Sequence, residues 1–84
     1  MKFVEIYKTQ NDGTQQIIAV CKLLDQKVVC EGDEVFVENL EREGIFDYSK
    51  PGKKLFPKDG INFLEGLRHT FKSGYLNASE IIEK

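Results

Sequence analysis

A chain of 84 residues with 40% hydrophobic and 31% charged residues buries enough surface for one modest core and no second one, and it is too apolar to be disordered. Its net charge of −2 supplies no overall field to gather nucleic acid. No apolar run approaches the roughly 18 residues of a spanning helix, and MKFVEIYKTQ lacks a signal-peptide core, so the chain is expected in a reducing cytoplasm, away from membranes.

KFVEIYK alternates, with Val4 and Ile6 on one face and Phe3, Glu5 and Tyr7 on the other, the period of a strand. QNDGTQ follows, and Asp12-Gly13 reads as a two-residue hairpin turn, since glycine tolerates positive φ. IIAVCKLL is a second strand, Asp25-Gln26 a second turn, and KVVCE a third strand. A two-residue loop at Asp25-Gln26 sets Cys21 opposite Cys30 in a non-hydrogen-bonded pair, where side chains come closest. The same rule at Asp12-Gly13 pairs Ile6 with Ala19 and Val4 with Cys21. One face then carries Val4, Ile6, Ile17, Ala19, Cys21, Leu23, Val28 and Cys30. A three-residue loop at 11–13 would shift the first pairing by one and break this agreement.

The two cysteines are therefore expected inside, as small hydrophobes with suppressed reactivity. A reversible cross-strand disulfide is the alternative. Two thiols and one distant histidine are too few ligands for a metal, and no cofactor-binding motif is present, so no metal and no cofactor are expected.

GDEVFVENLEREG has Asp33 as an N-cap, Glu34 in the first turn and Gly44 past the end, which predicts a helix over 34–43 with Phe36, Val37 and Leu40 as its apolar stripe, in preference to a fourth strand at Val35-Phe36-Val37 after a Gly32-Asp33 turn. Within 45–58, Pro51-Gly52 suits the centre of a type II turn between short strands near Ile45–Tyr48 and Lys53–Phe56. Asp59 is read as the N-cap of a second helix over 60–73, closed by Gly74, with Phe63, Leu64, Leu67 and Phe71 on its inner stripe. Asn77 and Glu80 read as a capping pair for a frayed terminal turn through Ile82. Strands first and helices later predict an α+β fold: a small antiparallel sheet, formed by a three-stranded N-terminal meander with a short hairpin at 45–56, and two helices packed on one face.

The second half of the chain, through Gly44, then Pro57, Asp59, Gly60, Phe63, Leu64 and Leu67, then Tyr75, Leu76 and Ala78, resembles small uncharacterised prokaryotic proteins. Theirs is a Gly-Ile/Val, a Pro-x-Asp-Gly-x-x-Phe-Leu-x-x-Leu segment and a Tyr-Leu-x-Ala end. These are capping and packing residues, so the resemblance implies a shared fold and carries no activity with it.

No nucleophile elbow or phosphate loop is present. His69 is expected on the solvent side of its helix, four residues after Glu65, as an ordinary surface pair; a catalytic reading would need it turned into a pocket with Glu65 and Tyr75. Asp59 would repel an anion at the following helix start, and Asn77-Ala78-Ser79 is a chance sequon. The local charge anomaly is 48–58, where Lys50, Lys53, Lys54 and Lys58 lie with Tyr48 and Phe56 and no acid. Tyr48 and the four lysines are the candidate contacts for single-stranded nucleic acid. The other candidate is the outer sheet face bearing Phe3, Tyr7, Ile18 and Val20, which is more apolar than a solvated face needs. The leading expectation is a non-catalytic protein-interaction or regulatory module, its partner including a copy of itself; a nucleic-acid-binding accessory protein is the alternative.

Overall fold

The computed structural model describes residues 1–72 and 74–84. Its alternating segments form β1 (Lys2–Thr9), β2 (Gln15–Leu24) and β3 (Lys27–Gly32), an antiparallel meander. Leu24 pairs with Lys27 and Cys21 with Cys30 across a two-residue loop in which Asp25 and Gln26 both have positive φ (59° and 78°), the geometry of a type I′ turn. Val4, Ile6, Ala19, Cys21, Val28 and Cys30 are all buried on the inner face.

The first hairpin differs from its expectation in an instructive way. Its loop has three residues, Asn11 to Gly13, with the Gln10 N–H bonded to the Thr14 carbonyl at 2.7 Å and Gly13 at φ 89°. The slip that this introduces pairs Tyr7 with Ile17. A β-bulge between Ile6 and Tyr7, with Ile18 as the extra residue of β2, then restores Ile6 to Ala19 and Val4 to Cys21. The two irregularities cancel over the core, so the expected pairs there stand, but between them the faces exchange. Ile17, expected inside, is 47% exposed, and Ile18, expected on the outer face, packs against the core.

The bulge also places the next element. The Ile18 carbonyl accepts from the Asp33 N–H at 2.8 Å, and Gly32, at φ 140°, passes so close that a Cβ there would stand 2.2 Å from the Ile18 oxygen. The Asp33 carboxylate in turn accepts from the Phe36 N–H at 3.0 Å, capping α1 (Glu34–Glu43). Gly44, at φ 68°, ends it.

Chain direction then reverses into β4 (Ile45–Phe46), which pairs with β5 (Lys54–Leu55) as a separate small hairpin. Gly52 has φ 87° and the Lys53 N–H reaches the Lys50 carbonyl at 3.1 Å, as a type II turn on Pro51-Gly52 requires. A 3₁₀ turn, Pro57–Asp59, leads into α2 (Ile61–Thr70). Phe63, Leu64 and Leu67 are fully buried against the sheet, with Leu40, Ile45 and Leu55 completing the core. Both helices thus cover one face of an antiparallel sheet, an α+β fold.

Three expectations in this region need correction. Asp59 does not cap α2: its carboxylate turns back onto the Phe56 N–H and closes the 3₁₀ turn, leaving Gly60 at the helix start. The helix stops at Thr70, where the Phe71 backbone leaves the helical range (φ −107°, ψ 70°) and its carbonyl accepts from the Ala78 N–H at 2.7 Å; Ser73, also placed in that helix, lies outside the described residues. Asn77 and Glu80 cap nothing helical, since the tail forms β6 (Leu76–Ala78) and β7 (Ile82–Glu83), both antiparallel to β1. Among the described residues the sheet therefore has five strands, ordered β3-β2-β1-β6 with β7 also on β1.

Candidate functional site

With both helices on the inner face, the outer face of the sheet has no second layer among the described residues. Phe3 lies beside Ile82 and Lys22, and Lys22 beside Val29; Val20 lies between Glu5 and Glu31; Tyr7 lies beside Ile17 and Asn77. Phe3, Tyr7, Ile17, Val20, Val29 and Ile82 thus form an apolar surface, with Ile17 and Val29 the most open of the six, at 47% and 41% exposure. The polar groups on it are tied to one another. The Tyr7 hydroxyl donates to the Glu5 carboxylate at 2.8 Å, a bond that pushes the phenol above its ordinary range, and Lys22 meets Glu31 at 3.4 Å. Three of the four residues picked for this face, Phe3, Tyr7 and Val20, are on it. Ile18 is not, and Ile17 and Val29 join in its stead. The three-residue Asn11-Asp12-Gly13 loop shifts the pairing so that Tyr7 meets Ile17, but nothing in the residues marks the bulge at Ile18 that follows it.

The edge of this face is β3. A two-residue loop directs the backbone groups of Lys27, Val29 and Glu31 to β2, and those of Val28 and Cys30 away from it. Among the described residues, no backbone partner is found for the outward groups. The 3₁₀ turn lies alongside and leaves a groove of about 500 Å³ next to Val28 and Val29, walled by Phe56 and Pro57.

The opposed thiols are sealed, at 0% and 7% exposure for Cys21 and Cys30. The Cys30 thiol facing Cys21, and then burial, push the Cys21 thiol far up. Thiolate is the reactive form, so iodoacetamide is expected to leave both cysteines unmodified in the folded protein and to alkylate both in urea, as read by intact mass. Labelling of the native chain at the rate of a free thiol would put the sulfurs on the surface.

The lysine-rich segment does not make one surface. Lys54 sits over the Phe46 ring, 5.8 Å from its centroid. Lys58 lies by the β3 groove. Lys50 and Lys53 flank the Asp47 carboxylate, which also accepts from the Ser49 hydroxyl at 2.6 Å and N–H at 2.8 Å; those bonds first, and then the lysines, hold Asp47 below the usual carboxylate range. Tyr48 leaves the loop and stacks on His69 of α2, centroids 5.4 Å apart. Their shallow cleft of about 320 Å³ also contains Glu65, Arg68 and Lys72. Glu65 is held by Arg68 at 3.3 Å and not by His69, so no Glu–His proton relay is assembled, and Tyr75 lies instead under Lys8. Among the described residues no cluster of three His, Cys, Asp or Glu is arranged for a metal, and no helix is long and apolar enough to cross a membrane.

Comparison with protein-family models, with curated proteins and with solved structures finds no match to this chain. The reading of function therefore rests on the surface alone.

Proposed function

We propose that this chain is a non-catalytic protein-interaction module that works in a reducing cytoplasm and receives an apolar protein surface on the open face of its sheet. The observation that carries this reading is the Tyr7–Ile17 pair, which the bulge puts on a face that no helix covers. A sheet with one solvated face ordinarily alternates apolar-in with polar-out. Here β-branched and aromatic side chains interleave with Glu5, Lys22 and Glu31 across that outer face from Ile82 to Val29, and exposed apolar surface rimmed by polar residues marks interaction sites. The cleft at His69 supports the non-catalytic part: its carboxylates are drawn to Arg68, with Glu65 at 3.3 Å and Glu80 at 4.0 Å, whereas acid–base catalysis needs a base within reach of its proton. A reducing compartment suits two facing thiols that remain free. The nucleic-acid reading retains one supporting observation, the Tyr48–His69 stack beside Arg68 and Lys72.

Affinity capture by the tagged full chain, from extract of its own cells with and without nuclease, separates the two. The interaction reading expects a protein retained through nuclease treatment. Its yield should drop at least ~10-fold with Ile17→Lys/Val20→Lys, a pair that keeps its fold because Ile17 is exposed and the new side chain at Val20 would lie between Glu5 and Glu31. Equal retention by that variant removes the sheet face from the function. Capture lost to nuclease and to Tyr48→Ala/Lys72→Glu transfers the function to nucleic acid.

A further inference from the structure

The residues along the open edge of β3 form a self-complementary pattern. Edge strands are commonly protected by charge, bulge or proline. β3 has neither proline nor bulge over Lys27–Gly32, and its outer-face charges are one lysine and one glutamate placed four residues apart, with Val29 midway between them. Antiparallel pairing with an identical strand about a two-fold axis at Val29 sets each Lys27 directly opposite Glu31 of the second copy and Val29 opposite Val29. Opposite charges in such a pair are stabilising and like charges are not. The same register sets Val28 opposite Cys30 of the second copy. These are the residues whose N–H and C=O point away from β2, so each pair exchanges both of its backbone hydrogen bonds. Sliding the register by two residues in either direction keeps the hydrogen-bond phase, but takes Lys27 off Glu31 and leaves no charge facing its opposite within the strand.

We propose that two copies of this chain associate through β3, joining their sheets into one continuous sheet whose open apolar faces lie side by side. The inference rests on the interaction reading above and names a second copy as a partner. The 3₁₀ turn lines the groove beside Val28 and Val29, and among the described residues its backbone makes no hydrogen bond to the outward groups of Val28 and Cys30. Joining the edges brings the two outer faces side by side for any further partner and removes the unpaired edge, which otherwise invites unregulated pairing.

Size-exclusion chromatography with light scattering on the full chain, from about 10 μM to about 1 mM, tests this. The wild type should rise from one chain mass to two. Lys27→Glu and Glu31→Lys each turn both cross-strand pairs into like charges, and each should weaken dimerisation ~10-fold or more. Both residues are exposed, and circular dichroism confirms the fold. Mixing the two variants re-creates opposite charges at both positions and should restore a dimer of one copy of each. A wild type that stays monomeric throughout, variants that dimerise as tightly as the wild type, or a mixture that stays apart would each overturn the proposal. Its failure is distinguishable from that of the sheet-face reading: a monomer that still loses its captured partner with Ile17→Lys/Val20→Lys sinks only the edge pairing. A β3 dimer whose capture ignores that variant sinks only the face.

Discussion

Gly32→Ala is expected to lower stability by about 3–5 kcal/mol, the sum of a φ of 140° that only glycine adopts readily and a Cβ placed 2.2 Å from the Ile18 carbonyl oxygen. A chain of this length has roughly 4–12 kcal/mol in all, so the variant should melt some 15–30 °C below the wild type or fail to fold. Nothing at this point can move cheaply, because the obstructing atom is backbone, and that backbone is the bulge whose carbonyl holds the Asp33 N–H. Gly13→Ala is the matched control. Gly13 also has positive φ, but with no atom within 4 Å of the new methyl, and its cost should be only about 1 kcal/mol. Thermal and urea unfolding followed by circular dichroism measure both. Equal melting temperatures for the two variants would mean that β2 does not bulge at Ile18, and would return Ile17 to the core and Ile18 to the outer face.

Phe63→Ala and Ile17→Ala should differ by at least ~2 kcal/mol, although each removes a large apolar side chain from this small domain. Phe63 is 0% exposed, with buried Leu64 and Leu67 beside it on the inner side of α2. Its removal leaves a cavity in the single core, at a cost of about 3–5 kcal/mol. Ile17 is 47% exposed on the outer face, and its removal should stay within about 0.5 kcal/mol. The comparison reads directly which face of the sheet is covered. If Ile17→Ala destabilised the isolated chain by more than ~2 kcal/mol, the range of a buried side chain, something would already be packed on the outer face, and the binding surface proposed there would not be open.

Much of the fold was legible because its signals are local. Asp33, Glu34 and Gly44 bounded α1, Pro51-Gly52 marked its turn, and the Asp25-Gln26 loop fixed Cys21 opposite Cys30. Each of these depends on hydrogen bonds or dihedral preferences spanning a few residues. The tail was misread because β6 and β7 are three and two residues long, too short to show a period of two; they become strands only because β1 presents a free edge from the far end of the chain. Asp59 was misplaced for a related reason, since its carboxylate satisfies Phe56 behind it and not the helix ahead. The lysine segment looked like one site in a linear reading, yet the turn at Pro51-Gly52 sends Lys54, Lys58 and Tyr48 to different surroundings.

The residues by themselves determined the buried set Val4, Ile6, Cys21, Val28 and Cys30, since alternation and one well-defined loop suffice to choose a face. Only the tertiary structure decided which of Ile17 and Ile18 faces outward, and with that the composition of the candidate surface. The reason is parity: each residue added to or bulged from a strand reverses every side chain beyond it. A three-residue loop and a compensating bulge leave the distant pairs unchanged, so the reversal between them cannot be seen from either end.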